Sequence, residues 1–528
     1  MQNSFQQGMR RLLAVVMTAG ILIGTAAALS ASPLRSSVVR DKVPAGWWGS
    51  GVGYPRLLQL HNSTRGENNV FLATFEEGKA GIGPGSPGYP IYRSADLGKT
   101  WSHITTVYDP VNTSSQQAEW QPFLYELPED CGNLKKGTIL LAGCSVDAAH
   151  SQHSCLQLYQ STDGGYSWSF LSTIAVGGGL ETGVWEPFLL MVDGELLCYY
   201  SDSTENLAHS QKIVYRSSLD GRSWSHPVDV IASPKQSDRP GMPIITRMGD
   251  GRYFMVYELV NNETGNGNPI CCKFSNDGKY WGDVASTGTI LASGGKTLGS
   301  APYCIWSPVG GSCGTLFVGG TFMRSGQSQT GTDYFVSTDY GTSWSTTAYP
   351  IPYDPRYAGY SSPMALSADG KLLFVLNNPT DPNGVTPAEG RNARARIEFA
   401  LVELVQGAAS LPENQPAFSS NVTTATSSGS TTSRTQGSST TAHRSHGGST
   451  TAPSEATNVS TTYTVGSTSS TYTSSLPNSL PVTTQTADTA AANPWDLPLT
   501  LIGLGMIAAG GVVMAVTFTR YFRRSRKE

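Results

Sequence analysis

The sequence predicts an all-β protein whose main body is a six-bladed β-propeller. Three observations predict it. The element Ser-x-Asp-x-Gly-x-Thr/Ser-Trp stands in full at Ser94–Trp101, Ser161–Trp168 and Ser337–Trp344, with shorter forms at Ser218–Trp224 and Ser275–Trp281. Independently, a proline opens an apolar segment at Pro55, Pro122, Pro187, Pro243, Pro302 and Pro363, in steps of 67, 65, 56, 59 and 61 residues. A fixed period of this length is the signature of a repeat architecture, and short apolar strands with turn residues between them make each repeat a small sheet. Composition agrees: 58 Gly, 31 Pro, 11 Trp and 23 Tyr in 528 residues, with only 14% charged, suit a turn-rich β protein.

Each unit reads as apolar strand, glycine turn, apolar strand. Pro187–Val192, Asp193-Gly194 and Glu195–Tyr200 form one such pair, and Pro243–Met248, Gly249-Asp250-Gly251 and Arg252–Tyr257 form another. The Ser-x-Asp element falls later in the unit, between the third and fourth strands. There Asp accepts turn amides, Gly supplies unusual backbone angles and Trp packs the turn down. The sixth unit lacks the element. Its strands are expected at 364–367, 371–376 and 396–404, and its missing strand at 37–43, which would close the ring.

The ends have a different composition. Arg10 and Arg11 precede an uncharged run, Leu12 to Leu29, followed by small residues, so residues 1–31 read as a secretory signal. Residues 37–407 are the head. Residues 408–494 form a stalk, since 35 of the 62 residues from Ser419 to Leu480 are Ser or Thr and cannot build a core. Residues 497–519 carry no charge over 23 positions, enough for a transmembrane helix. The basic tail 520–528 then lies in the cytoplasm and the head outside. Leu497-Pro498-Leu499-Thr500 resembles a wall-sorting signal, but Leu501 stands where that pattern needs Gly. Asn62, Asn112, Asn262, Asn421 and Asn458 head glycosylation sequons.

A net charge of −4 argues against a nucleic-acid partner. No metal-ligand constellation stands out among eight scattered His and eight Cys, and no cofactor motif is present. Cys131/Cys144 and Cys304/Cys313 are candidate disulfides of an exported protein, with buried free thiols as the alternative. The sequence carries no signal for oligomeric state.

Repetition supplies an internal control for the site. The residues before the six prolines are Tyr54, Gln121, Glu186, Met242, Ala301 and Ser362. Units two and three read Trp120-Gln121-Pro122-Phe123-Leu124 and Trp185-Glu186-Pro187-Phe188-Leu189, so the scaffold does not need an acid there. The second strands end in Glu76, Asp202 and Glu258 in units one, three and four, but in Gly319-Gly320 and Asn377-Asn378 in units five and six. These acids are expected to converge at one mouth of the channel. Two facing carboxyls are what glycoside hydrolysis needs, one to protonate the leaving oxygen and one to attack or activate water. Glu186 and Glu258 are the candidate catalytic pair. Tyr54, Arg56, Gln121, Trp185, Tyr257, Arg239 and Tyr360 are candidate substrate-binding residues. The alternative role for the acids is to bind backbone amides or arginines, and for the aromatic residues to pack the sheets.

The Ser-x-Asp elements resemble the Asp boxes of the sialidase superfamily. Within it, Gly183-Val184-Trp185-Glu186-Pro187-Phe188-Leu189 and the segment Gly241 to Glu258 resemble glycoside hydrolase family 93, over the head alone. That resemblance implies a retaining, exo-acting α-1,5-L-arabinanase with a polysaccharide substrate, with Glu186 as acid/base and Glu258, 72 residues on, as nucleophile. An exo-α-sialidase is the second reading. It would need three arginines and a Tyr nucleophile, with Arg56, Arg239, Arg247, Arg324 and Arg356 as the arginines to consider. A non-catalytic glycan-binding head is the third.

Overall fold

The computed structural model describes residues 33–404, apart from 42–51, 63–68, 78–87, 111–116, 148–152, 262–266, 327, 354–358 and 380–395. The expected signal, stalk, transmembrane helix and tail lie outside the described residues. Among the described residues every element is a strand, and no helix is long and apolar enough to cross a membrane.

The strands form seven four-stranded antiparallel sheets, a propeller-like arrangement. Six follow the proline repeat. Each opens on the strand that carries or directly follows its proline: Val52–Gln59, Gln117–Glu126, Val184–Val192, Arg239–Arg247, Tyr303–Ser307 and Met364–Leu366. One residue from each of these strands, Leu58, Leu124, Leu190, Ile245, Ile305 and Leu366, lines a single cavity of about 400 Å³. The six first strands therefore surround one channel. The seventh sheet was not expected. Its strands Ala292–Ser293, Lys296–Gly299, Phe322–Ser325 and Ser328–Gly331 interleave with unit five, and its second hairpin sits between that unit's second and third strands.

The expected closing strand exists, shifted to Arg35–Arg40. It pairs antiparallel with Ile397–Glu403. Side chains fasten it to unit one: Arg35 donates to the Asp96 and Leu97 carbonyls at 3.1 and 2.9 Å, and Trp101 Nε1 donates to Ser37 Oγ at 3.2 Å. Val39, Phe71, Phe374 and Phe399 fill the core beneath.

The Ser-x-Asp turns are built as their composition predicts. Asp96 Oδ1 accepts the Lys99 and Thr100 amides at 3.0 and 2.9 Å, and Ser94 Oγ accepts the Gly98 amide at 2.9 Å. Gly98 lies at φ +75°, and a Cβ there would stand 2.2 Å from Phe399 Cε1. The turn thus needs glycine both for its backbone angle and for its approach to unit six.

All eight cysteines are free, which corrects the two expected disulfides. Cys144 and Cys304 are strand residues whose thiols donate to carbonyls of an adjacent sheet, Val184 O at 3.2 Å and Ile244 O at 3.5 Å. Their side chains serve packing between sheets, away from Cys131 and Cys313.

Candidate active site

The proline repeat creates a bulge. In units one to four the pairing register slips at Gly53/Arg56, Trp120/Phe123, Trp185/Phe188 and Gly241/Ile244. Proline has no N–H to give the ladder, and the residue before it is sterically restricted. Here that residue takes a left-handed conformation: φ is 49° at Tyr54, 52° at Gln121, 63° at Glu186, 57° at Met242 and 45° at Ala301, and 59° at Ser361, one residue earlier in unit six. Non-glycine residues hold such angles at a cost of about 1–3 kcal/mol each, typically at functional sites. The bulge also frees an amide from the ladder.

In units two to five a side chain of the preceding unit takes up the amide. Gln121 N donates to Glu76 Oε1 at 2.8 Å, and Glu186 N donates to Gln121 Oε1 at 3.0 Å. Met242 N donates to Glu186 Oε2 at 2.8 Å, and Ala301 N donates to Glu258 Oε2 at 3.1 Å. The chain of bonds runs from unit one to unit five around one mouth of the channel. Tyr54, Met242, Ala301 and Tyr360 touch in its centre, which brings units one, four, five and six together.

Glu186 and Glu258 are held alike. Each gives Oε2 to the next unit's bulge amide and to a serine hydroxyl, Ser201 Oγ at 2.6 Å for Glu186 and Ser300 Oγ at 3.0 Å for Glu258. Neither Oε1 has a hydrogen-bond partner among the described residues. Both carboxyls are pushed up by burial. Glu258 reaches about 7, with the charge of Glu186 as the second cause. Arg239 and Arg56 pull Glu186 back without forming an ion pair with it.

The other predicted residues divide. Arg56, 3% exposed, donates to Ser361 Oγ at 2.6 Å and to Pro55 O at 2.8 Å, and stacks 4.2 Å over the Tyr54 ring. Arg239 is held by Gln211 Oε1 at 2.8 Å. Tyr360 donates to Met242 Sδ at 3.4 Å. Burial raises both Tyr54 and Tyr360, so these phenols stay neutral. Tyr54, Arg56, Gln121, Arg239 and Tyr360 thus surround the two carboxyls.

Trp185 and Tyr257 do not, which corrects their expected substrate-binding role in favour of the alternative, packing of the sheets. Trp185 packs 6.3 Å from Trp120 within the sheet core. Tyr257 is 0% exposed, and its hydroxyl donates to Thr287 O.

Asp202 is also corrected. Counting from the residue two before each proline, the counterpart of Glu258 in unit three is Ser201, because Gly241 pairs with Glu258 and Trp185 with Ser201. Asp202 is one residue further, on the other face, where Oδ1 accepts Thr204 N at 2.8 Å and Thr204 Oγ1 at 2.6 Å and caps a turn.

Sequence reading missed Ser201, Ser300 and Gln211. The register from each proline would have found Ser201. The paired motifs Ser300-Ala301-Pro302 and Ser361-Ser362-Pro363 mark the serines that hold Glu258 and Arg56.

The opposite, apolar end of the channel offers no such chemistry. Its one lining acid, Glu126, is spent on the His61 and Asn62 amides at 2.7 and 2.9 Å. Nor, among the described residues, does an arginine triad gather at the carboxyls. Arg247 faces Tyr253 at 5.6 Å and Arg324 faces Phe322 at 5.1 Å. Arg356 lies outside the described residues. Among the described residues no group of three or more His, Cys, Asp and Glu could hold a metal.

Two desolvated carboxyls, each with one oxygen anchored and one unpartnered, are an arrangement that suits glycoside hydrolysis. No protein-family model matches the sequence, and no curated protein matches it. Solved structures do. An α-L-arabinanase of Penicillium chrysogenum, determined with arabinobiose, is 32% identical, over 71% of this chain and 99% of that one, with a TM-score of 0.60. A GH93 α-L-arabinofuranosidase of Fusarium graminearum, also with arabinobiose, is 28% identical over 70% and 98%, with a TM-score of 0.59. The chain belongs to this family, glycoside hydrolase family 93, and is an arabinanase-like enzyme.

Proposed function

We propose that the protein is a retaining, exo-acting hydrolase of α-1,5-linked L-arabinan, with Glu186 and Glu258 as its catalytic residues. The observation that carries this reading is the matched pair of carboxyls, each locked through Oε2 and each offering Oε1 to one pocket. The solved relatives bound to arabinobiose support the substrate. Six of the seven sheets, those built on the proline repeat, are the blades of the propeller, and the seventh is an insertion. The head acts outside the cell, held on the Ser/Thr-rich stalk by the C-terminal apolar segment.

In this mechanism Glu258 attacks the anomeric carbon while Glu186 passes a proton to the departing glycosidic oxygen. A covalent ester forms on Glu258 and the glycosidic bond breaks. Glu186, now ionised, takes a proton from water, whose oxygen displaces Glu258 and gives a product of retained configuration. The pair shares one proton near neutral pH, since two desolvated neighbouring carboxylates resist double ionisation. Burial and the Glu186 charge favour the proton on Glu258. The proposed roles therefore require sugar binding to move it to Glu186.

The test is product release by the full-length protein from linear α-1,5-arabinan and, separately, from a sialoside. Arabinobiose is expected, and Glu186→Gln should lower the rate by roughly 10²–10⁴-fold. Sialic acid release would overturn the reading. Azide should rescue Glu186→Ala with retained configuration and Glu258→Ala with inverted configuration; the opposite pattern would exchange the two roles.

A further inference from the structure

A third carboxyl group shares this pocket and has no part in the double displacement. Glu76 ends the second strand of unit one, at the register position that Glu258 holds in unit four. Its Oε1 accepts the Gln121 amide at 2.8 Å. Its Oε2 has no hydrogen-bond partner among the described residues, and no cation pairs with it there. It acts electrostatically on Tyr54 and Tyr360, as do Glu186 and Glu258, so all three acids face the same mouth. Burial raises it to about 7, although the Gln121 amide and Arg56 oppose the shift.

The scaffold does not account for an acid here. Gln121 performs the same service for Glu186 N with an amide oxygen, and Ser201 accepts Met242 N with a hydroxyl at 3.2 Å. A desolvated carboxyl with one oxygen unused is costly and calls for a ligand. An arabinofuranosyl unit is uncharged and offers hydroxyl donors, which a carboxylate oxygen accepts strongly. We propose that Glu76 is a specificity-determining residue whose Oε2 accepts a hydrogen bond from a hydroxyl of the sugar bound beside Glu186 and Glu258, an inference that rests on the arabinan reading above.

The experiment is a cycle between enzyme and substrate. The full-length protein and Glu76→Gln are assayed on 4-nitrophenyl α-1,5-L-arabinobioside and on its monodeoxy analogues lacking O2 or O3 of either ring. Gln121 shows that an amide oxygen can serve the bulge, so E76Q should unfold cooperatively at or above the wild-type midpoint. For one analogue the wild type should lose roughly 10- to 100-fold in kcat/KM. E76Q should lose a similar factor on the parent compound and little more on that analogue. A side chain that only supports the fold would give additive losses for every analogue. Additive losses, or wild-type rates in E76Q, overturn the inference while leaving the arabinan reading intact. A wild-type protein that cleaves neither this glycoside nor arabinan overturns both.

Discussion

Ser201 and Glu258 show how much a single side chain decides at this site. Ser201 Oγ lies 2.6 Å from Glu186 Oε2 and holds that carboxyl below where burial alone would leave it. Ser201→Ala should move the alkaline limb of the kcat/KM–pH profile to higher pH and lower kcat roughly 10-fold, measured on an aryl arabinobioside. Glu258 gives a prediction about stability. Its pKa rises from 4.5 to about 7, so the folded protein binds this proton more tightly than the unfolded chain. The stability contributed by that proton is complete below about 4.5 and lost as pH rises through about 7. Glu258→Gln keeps an oxygen for the Ala301 amide and removes the titration. It should be inactive, and by denaturant unfolding at pH 8 more stable by on the order of 2 kcal/mol, a gain that disappears by pH 4.

At the scale of elements, the bulge and the box turn occupy opposite ends of units one to four. The bulge turns the residue before proline out of the ladder and toward its neighbour's side chain, so the site is assembled between sheets rather than within one. The box turn joins sheets at their other end. Gly98→Ala places a Cβ 2.2 Å from Phe399 and forces an unfavourable backbone angle on alanine. It should destabilise the protein by about 2–4 kcal/mol, seen as a lower thermal midpoint with no change in KM.

For the whole molecule, closure is the decisive feature. The first described strand completes the last repeat sheet, so Arg35–Arg40 and Ile397–Glu403 tie the two ends of the head together. Without it, Ile397–Glu403 becomes an exposed edge and Phe399 and Phe374 lose cover. A protein whose mature chain starts at Asp41 should aggregate, or melt in more than one step at a lower temperature, when followed by light scattering and calorimetry. Unit one, with Arg56 and Glu76, would be the first part of the site to loosen.

The proline and box periods predict the six repeat sheets and one mouth at which Glu76, Glu186 and Glu258 converge, and the closing strand expected at 37–43 stands at Arg35–Arg40. These features are local: turns, pre-proline strain and apolar strands write themselves into spacing. Comparing Gln121 with Glu186 marked an acid that the scaffold does not need. Tertiary structure decided whatever depends on register and on neighbouring sheets. One residue of slip places Ser201 rather than Asp202 beside Glu186, because successive strand residues point to opposite faces. Trp185 and Tyr257 adjoin the two glutamates in sequence yet turn into the core, because adjacent strand residues point to opposite faces. The hydroxyls of Ser201 and Ser300, the seventh sheet and the unused oxygen of Glu76 come from contacts between residues far apart in the chain or from their absence, and a one-dimensional period does not encode them.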